Sequence, residues 1–434
     1  MKRVLIVGAG IIEKQNAAGI TLKSIFSEFD SKLFMGLDWG SVEDSANQTL
    51  MPIRHLTFSF FSFGRLLTKD CFKKISHRMK KEEAPSVVSK ETTHDPSNWR
   101  IFVKRLRQWI ALLPASSKVH LSKEDVARIK AFAPQVIYTV GETVTALRLA
   151  YAISKKLEIP IVIHFMDNWK HSVEWASNPL LKGYQRRLSK YCDLCCSRST
   201  NCIAIGDRMA EIYQQETGIP HSVIMNSVDV SAFSCESRES DGTLRFVYAG
   251  GLHLGREQAL RAIGECIDCI CEETGSQADF SIYTSSENIE SHSEQFSHLK
   301  NTRICNAVPH EQIIEVYKQS DILVHVESSE LESNEFFKYS VSTKISEYLA
   351  TGRTILFFGP KNISLFGFLA QNKLAYTVSD DHELTEVISA MFNGMKNEFS
   401  QNARKYAEKH FDISVARKRF EAVIDSVDLP DSTK

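Results

Sequence analysis

A chain of 434 residues is too long for one ordinary domain, and with 43% hydrophobic residues it can fill two cores of roughly 200 residues each. Its 52 Lys and Arg against 53 Asp and Glu leave a formal net charge of −1, so no global field favours nucleic acid, which is not expected as a partner. No run approaches the ~20 apolar residues of a membrane span, and Met1-Lys2-Arg3 leads into a short strand rather than a long signal-peptide core, so a cytoplasmic location is expected.

In chain order, Val4 to Val7 reads as a buried strand, and Gly8-Ala9-Gly10 turns the chain into a helix expected from Gly19 to Phe29, with Ile20, Ile25 and Phe29 on its apolar face. A G-x-G-x-x-G dinucleotide fingerprint needs a glycine where Glu13 stands, which argues against an NAD-dependent oxidoreductase. From Phe58 to Leu113 the basic residues Arg65, Lys69, Lys73, Lys74, Arg78, Lys80 and Lys81 interleave with apolar ones. After a polar stretch, Trp99 to Leu113 is amphipathic. Two readings stay open there: contact with an anionic membrane surface, or a helix packed on its own sheet with a solvated cationic face.

Pro134 to Val140 and Ile159 to Phe165 read as strands flanking a helix from Thr143 to Leu157. The second strand ends with His164 and is followed by Asp167. Ligands of open α/β sheets bind beyond the carboxyl ends of strands, so both are candidate site residues; the alternatives are a structural histidine and a helix cap. Cys202 to Ile205 and Ser222 to Met225 are further strands, separated by a helix to Thr217, so the βαβ alternation implies a parallel sheet. Ten cysteines in such a chain read as reduced thiols. The clusters Cys192, Cys195, Cys196 and Cys266, Cys269, Cys271 lie too far apart for a zinc ribbon or finger. The reading is core packing, with no metal expected.

Ser234 to Gly242 is polar and aperiodic, and reads as a linker. Leu244 to Ala249 opens a second sheet, and Gly250-Gly251 leads towards a helix expected from Gln258 to Glu272, with His253 and Arg256 in the intervening loop. Phe280 to Thr284, Thr302 to Cys305 and Ile322 to Val326 continue the strands. In Phe336 to Pro360, Ser342 and Thr343 are good helix N-caps, Ile345, Tyr348 and Leu349 form an apolar face, and Gly352 supplies the left-handed stop before a strand from Thr354 to Phe358. Lys344 and Glu347 fall on the other face. A helix N-terminus with a lysine in its first turn is an anion site, and a carboxylate one turn on can accept from sugar hydroxyls, a combination suited to a nucleoside diphosphate. A plain amphipathic helix with a solvated Lys/Glu face is the other reading.

The segment from Lys344 to Gly352, followed by a strand and Gly359-Pro360, resembles the donor-nucleotide segment of family 4 glycosyltransferases of the polysaccharide-biosynthesis type, which have the GT-B fold. Asn16-Ala17-Ala18-Gly19 resembles that family's opening loop, Asn226-Ser227-Val228-Asp229 its turn after the last strand of the first half, and Val308-Pro309-His310-Glu311 the turn against which a base rests. The resemblance implies an acceptor-binding Rossmann-like domain over residues 1–233, a nucleotide-sugar-binding one over 243–399, and terminal helices over 400–434 that cross back to the first. It implies a metal-independent, hexosyltransferase-like enzyme that retains anomeric configuration. The donor is a nucleotide sugar, the acceptor a glycan or lipid-linked glycan, and no cofactor beyond the donor is expected. Gly19, Gly250, Gly251, His253, Arg256, Lys344 and Glu347 would hold the donor; His164, Asp167, Arg256 and Lys344 would serve the reaction. Two positions depart from the family: Leu252 stands where an arginine is usual, leaving Arg256 and Arg261, and Tyr339 stands where the first of two glutamates belongs, with Glu332, Glu335 or Ser340 as replacements. A catalytically inactive GT-B nucleotide-binding scaffold is the alternative that these departures admit.

Overall fold

The structure is a computed structural model that describes residues 1–8, 10, 12, 17–37, 121, 123–171, 179–233, 241–252, 255–328, 339, 342–394 and 399–430. The basic stretch between Phe58 and Leu113 lies outside the described residues, as do His253, Glu332, Glu335 and Ser340. Among the described residues no helix is long and apolar enough to cross a membrane.

Among the described residues two six-stranded sheets organise the chain. The first contains β1 (Val4–Val7), β2 (Phe34–Leu37), β3 (Val136–Val140), β4 (Ile161–Phe165), β5 (Cys202–Ala204) and β6 (His221–Val223), in the order β2-β1-β3-β4-β5-β6. The second contains β7 (Thr243–Ala249), β8 (Gln277–Thr284), β9 (Thr302–Asn306), β10 (Ile322–Val326), β11 (Thr354–Phe358) and β12 (Tyr376–Val378), in the order β12-β11-β10-β7-β8-β9. Every pairing in both is parallel. The mostly apolar strands explain this: β1, β3 and β4 are buried on both faces, with Thr139 and His164 as polar exceptions, as a sheet covered by helices on either side requires.

The helices differ from their expected bounds at two informative places. The first runs Ala17–Phe26 rather than reaching Phe29, and the helix after β7 runs Arg256–Thr274, which moves Arg256 from a loop into a helix's first turn. Gly352 closes the Thr343–Thr351 helix at φ 66°, a conformation that favours glycine.

The chain's last helix, Ile413–Ser426, packs against the first sheet. Phe420 is fully buried and meets Phe26 edge-to-face at 5.1 Å and Tyr138 at 5.4 Å, in one cluster with Val4, Ile6 and Val162. Just before this helix, the Val228 amide donates to the Phe411 carbonyl at 2.9 Å and the Ile413 amide donates to the Val228 carbonyl at 3.0 Å. Arg404 donates to the carbonyls of Phe233 and Ala350, tying the end of the first half to the Thr343–Thr351 helix.

Candidate functional site

In the second sheet β7 and β10 are neighbours, but the chain leaves them in opposite directions, towards β8 and β11. A crevice opens at the carboxyl ends of strands at such a switch point. Gly250 and Gly251 follow β7 there, and Glu327 follows β10. The next described helix after each strand, Arg256–Thr274 and Thr343–Thr351, begins near that same edge, and the N-terminus of a helix carries a positive dipole end.

The side chains interlock. Lys344, second in its helix, lays its ammonium 5.4 Å from the centre of the Tyr248 ring. A Cβ added at Gly250 would stand 2.2 Å from Lys344 Nζ and 2.6 Å from the Tyr248 hydroxyl, so glycine at this position is what lets the lysine lie against the loop. The Tyr248 hydroxyl donates to the Gly251 carbonyl at 2.8 Å and fixes the loop from below. Arg256 Nη2 donates to Glu327 Oε2 at 2.8 Å, and His325 Nε2 lies 3.1 Å from Glu327 Oε1. That contact with a carboxylate places the proton on Nε2. His325 Nδ1 is buried and has no partner among the described residues, as a neutral imidazole would leave it.

Burial, reinforced by the like charge of Arg256, pushes the Lys344 amine down to about 8. Burial works to raise the Glu327 carboxyl, but the His325 hydrogen bond and the Arg256 charge outweigh it and hold the group at about 2. At neutral pH two crowded cations therefore face one buried carboxylate. An incoming anion would offset the repulsion between the Lys344 and Arg256 charges. Glu347, half-buried one turn along the helix, is within electrostatic reach of Lys344.

The fold thus brings together Gly250, Gly251, Arg256, Lys344 and Glu347. Glu327 and Tyr248 complete the group without having been singled out. Glu327 directly follows β10, and nothing local in the sequence points to its Arg256 partner. Arg261 sits in the second turn of its helix, 43% exposed and 3.4 Å from Glu265, outside the cluster. Tyr339 packs on the apolar cluster of the first sheet.

The first-half candidates are placed differently. Gly19 is buried in the first helix, and Asp167 is half-buried just beyond β4. His164 is 0% exposed, because strand alternation puts it with Val162 and Met166 on the face covered by the first and last helices. Burial drives its imidazole down to about 4, and Nδ1 lies 2.7 Å from the Tyr138 hydroxyl. His164, a candidate to serve the reaction, is in this structure a core histidine, the alternative reading of its strand-end position. Cys192, Cys195 and Cys196 are buried in the first core as expected, whereas Cys269 is exposed on the Arg256–Thr274 helix rather than packed.

Over 97% of this chain and 98% of its own length, sucrose-phosphate synthase from Thermosynechococcus elongatus superposes with a TM-score of 0.59 at 9% identity. The fold is GT-B. HepE from Anabaena, solved with UDP, matches this GT-B chain with a TM-score of 0.58 at 13% identity, over 98% of this chain and 100% of its own. A glycosyltransferase from Rickettsia africae gives 0.56 at 10% identity over 97% of both chains. No protein-family profile matches the sequence, and no curated protein matches it either.

Proposed function

We propose that this GT-B protein is a glycosyltransferase that takes a sugar from a nucleotide-diphosphate donor, with the donor bound at the β7–β10 switch point. The observation that carries the reading is the Lys344 ammonium lying beside Gly250 with the Arg256 charge within electrostatic reach, each residue in the first turn of a helix. HepE, solved with UDP and with UDP-glucose, supports a nucleotide sugar as donor. In this reading Arg256, Lys344 and the backbone amides hold the diphosphate, and Glu347 accepts hydrogen bonds from the ribose hydroxyls. As the bond to the sugar breaks, negative charge grows on the leaving diphosphate, where the two cations stabilise it without a metal ion. The acceptor hydroxyl attacks the face that the diphosphate leaves, so configuration is retained, and Asp167 orients a glycan or lipid-linked acceptor. The basic stretch from Arg65 to Lys81 supports attachment to an anionic membrane surface. Cell-surface polysaccharide assembly is the setting that fits these parts.

The test is to incubate the purified protein with UDP-, GDP- and ADP-sugars in EDTA and follow nucleoside diphosphate release, with the first-formed anomer read by NMR. Release from one donor class with the donor's anomeric configuration is expected. Binding without any release would favour the inactive scaffold, the reading to which Leu252 and Tyr339 point.

Two further results follow from the geometry. Diphosphate binding uses the protonated lysine, whose folded value is lowered to about 8, so affinity is full below that pH and falls as pH rises through it. By pH 9 the loss is about tenfold, measurable by calorimetry as a pH series. Gly250→Ala puts a methyl group into the space of Lys344 Nζ. The flexible lysine end can move aside, but the buried Tyr248 ring, 2.9 Å from the added carbon, must shift as well, so diphosphate affinity should drop by about tenfold or more and the melting temperature should fall with it.

A further inference from the structure

Away from the second sheet's crevice, three ligand-type side chains meet inside the first core. Cys196 is the last residue of the Pro179–Cys196 helix, Cys202 stands on β5, and His221 on β6 is directly across the ladder from Cys202. They are 1%, 0% and 7% exposed, and their donor atoms all lie within 4.8 Å of one another. The two sulfurs are 3.9 Å apart. Two thiolates each about 2.3 Å from one tetrahedral ion would stand about 3.8 Å apart, far beyond the ~2.05 Å of a disulfide.

His221 is oriented for the same purpose. Its Nδ1 lies 2.7 Å from the Ile219 carbonyl, a contact that only an Nδ1–H can make, so the lone pair is on Nε2. Nε2 is buried and has no partner among the described residues. A buried acceptor without a donor is costly to leave, and a cation between it and the two sulfurs would satisfy it.

We propose that Cys196, Cys202 and His221 hold a Zn²⁺ ion that pins the end of the Pro179–Cys196 helix to the β5–β6 edge. On loading, each thiol gives its proton to solvent and the ion takes two thiolates and a neutral imidazole, with no change in oxidation state. The charges of Zn²⁺ and two thiolates cancel, as a core with apolar walls requires. The same soft donors suit a thiophilic d¹⁰ ion and not Mg²⁺ or Ca²⁺. Three protein donors leave a fourth position that a water can take, and the ion is separate from any leaving-group chemistry at Lys344 and Arg256.

The full chain, purified without chelator, is tested by elemental mass spectrometry and by exchange with Co²⁺. About one zinc per chain is expected, with strong sulfur-to-cobalt absorption after exchange and a melting temperature that falls on chelation and recovers when Zn²⁺ is returned. Cys202→Ser and His221→Ala should abolish the stoichiometry. Cys195→Ser, which alters the neighbouring thiol bonded to the Leu147 carbonyl, should leave it intact. The wild-type result decides even if a variant fails to fold: neither zinc nor cobalt–thiolate absorption, or a Cys196–Cys202 disulfide, overturns the proposal.

Discussion

Lys344→Met is expected to weaken nucleoside diphosphate binding about a hundredfold without lowering the protein's melting temperature. A charge-assisted contact to phosphate contributes about 1.5–3 kcal/mol, and at 1.4 kcal/mol per decade the upper part of that range is two decades. The unusual half of the prediction is the stability. The folded value of Lys344 lies below its ordinary one, so the protonated amine opposes folding at pH below about 8, and this penalty fades as pH rises towards its unfolded value. Methionine keeps the aliphatic stem against Gly250 and Tyr248 while removing the charge. Calorimetry and melting on the same sample separate the outcomes: unchanged affinity sinks the assignment of Lys344, and lost affinity with a collapsed melting temperature would make the lysine structural.

Glu327→Ala should do the opposite, destabilising the second half by about 3 kcal/mol at pH 7. Glu327 and Arg256 are 10% and 18% exposed, and removing one partner of such a pair leaves the other charge buried and unpaired. Urea unfolding followed through the second half's transition would measure it. The sign with pH is fixed by the carboxyl, which is held at about 2. Its contribution is present above the ordinary glutamate value and is lost as pH falls towards 2, so the margin over Glu327→Gln should shrink on acidification. A bound diphosphate would give Arg256 a new anionic partner, so nucleotide should stabilise Glu327→Ala more than it stabilises the wild type. Equal stabilisation would place Arg256 outside the binding site.

The two-sheet architecture was legible because buried parallel strands advertise themselves: Val4–Val7 is wholly apolar, and Val136–Val140 and Ile322–Val326 are apolar but for Thr139 and His325. Lys344 and Glu347 were legible because a periodic helix stopped by Gly352 and followed at once by a strand is a local pattern, although the expected Ser342 cap makes no side-chain hydrogen bond. Glu327 was not, since its partnership with Arg256 spans 71 positions and depends on β7 and β10 being neighbours, a fact of topology rather than of spacing. His164 failed for a related reason. Its strand-end position was readable, but which face it takes follows from the strand's register and from the last helix covering that face. The cysteines show the same limit: spacing groups Cys192, Cys195 and Cys196, whereas the fold sets Cys196 beside Cys202 and His221.

The central claim is that the β7–β10 crevice takes a nucleoside diphosphate. A thermal-shift panel of UDP, GDP, ADP, CMP and NAD without added metal, run on the wild type and Lys344→Met, tests it most directly. A ligand at a hundred times its dissociation constant stabilises by about 2.7 kcal/mol. A clear shift with one nucleoside diphosphate, absent in the variant, is the predicted result. A shift with NAD alone, or with none of the five, would contradict it.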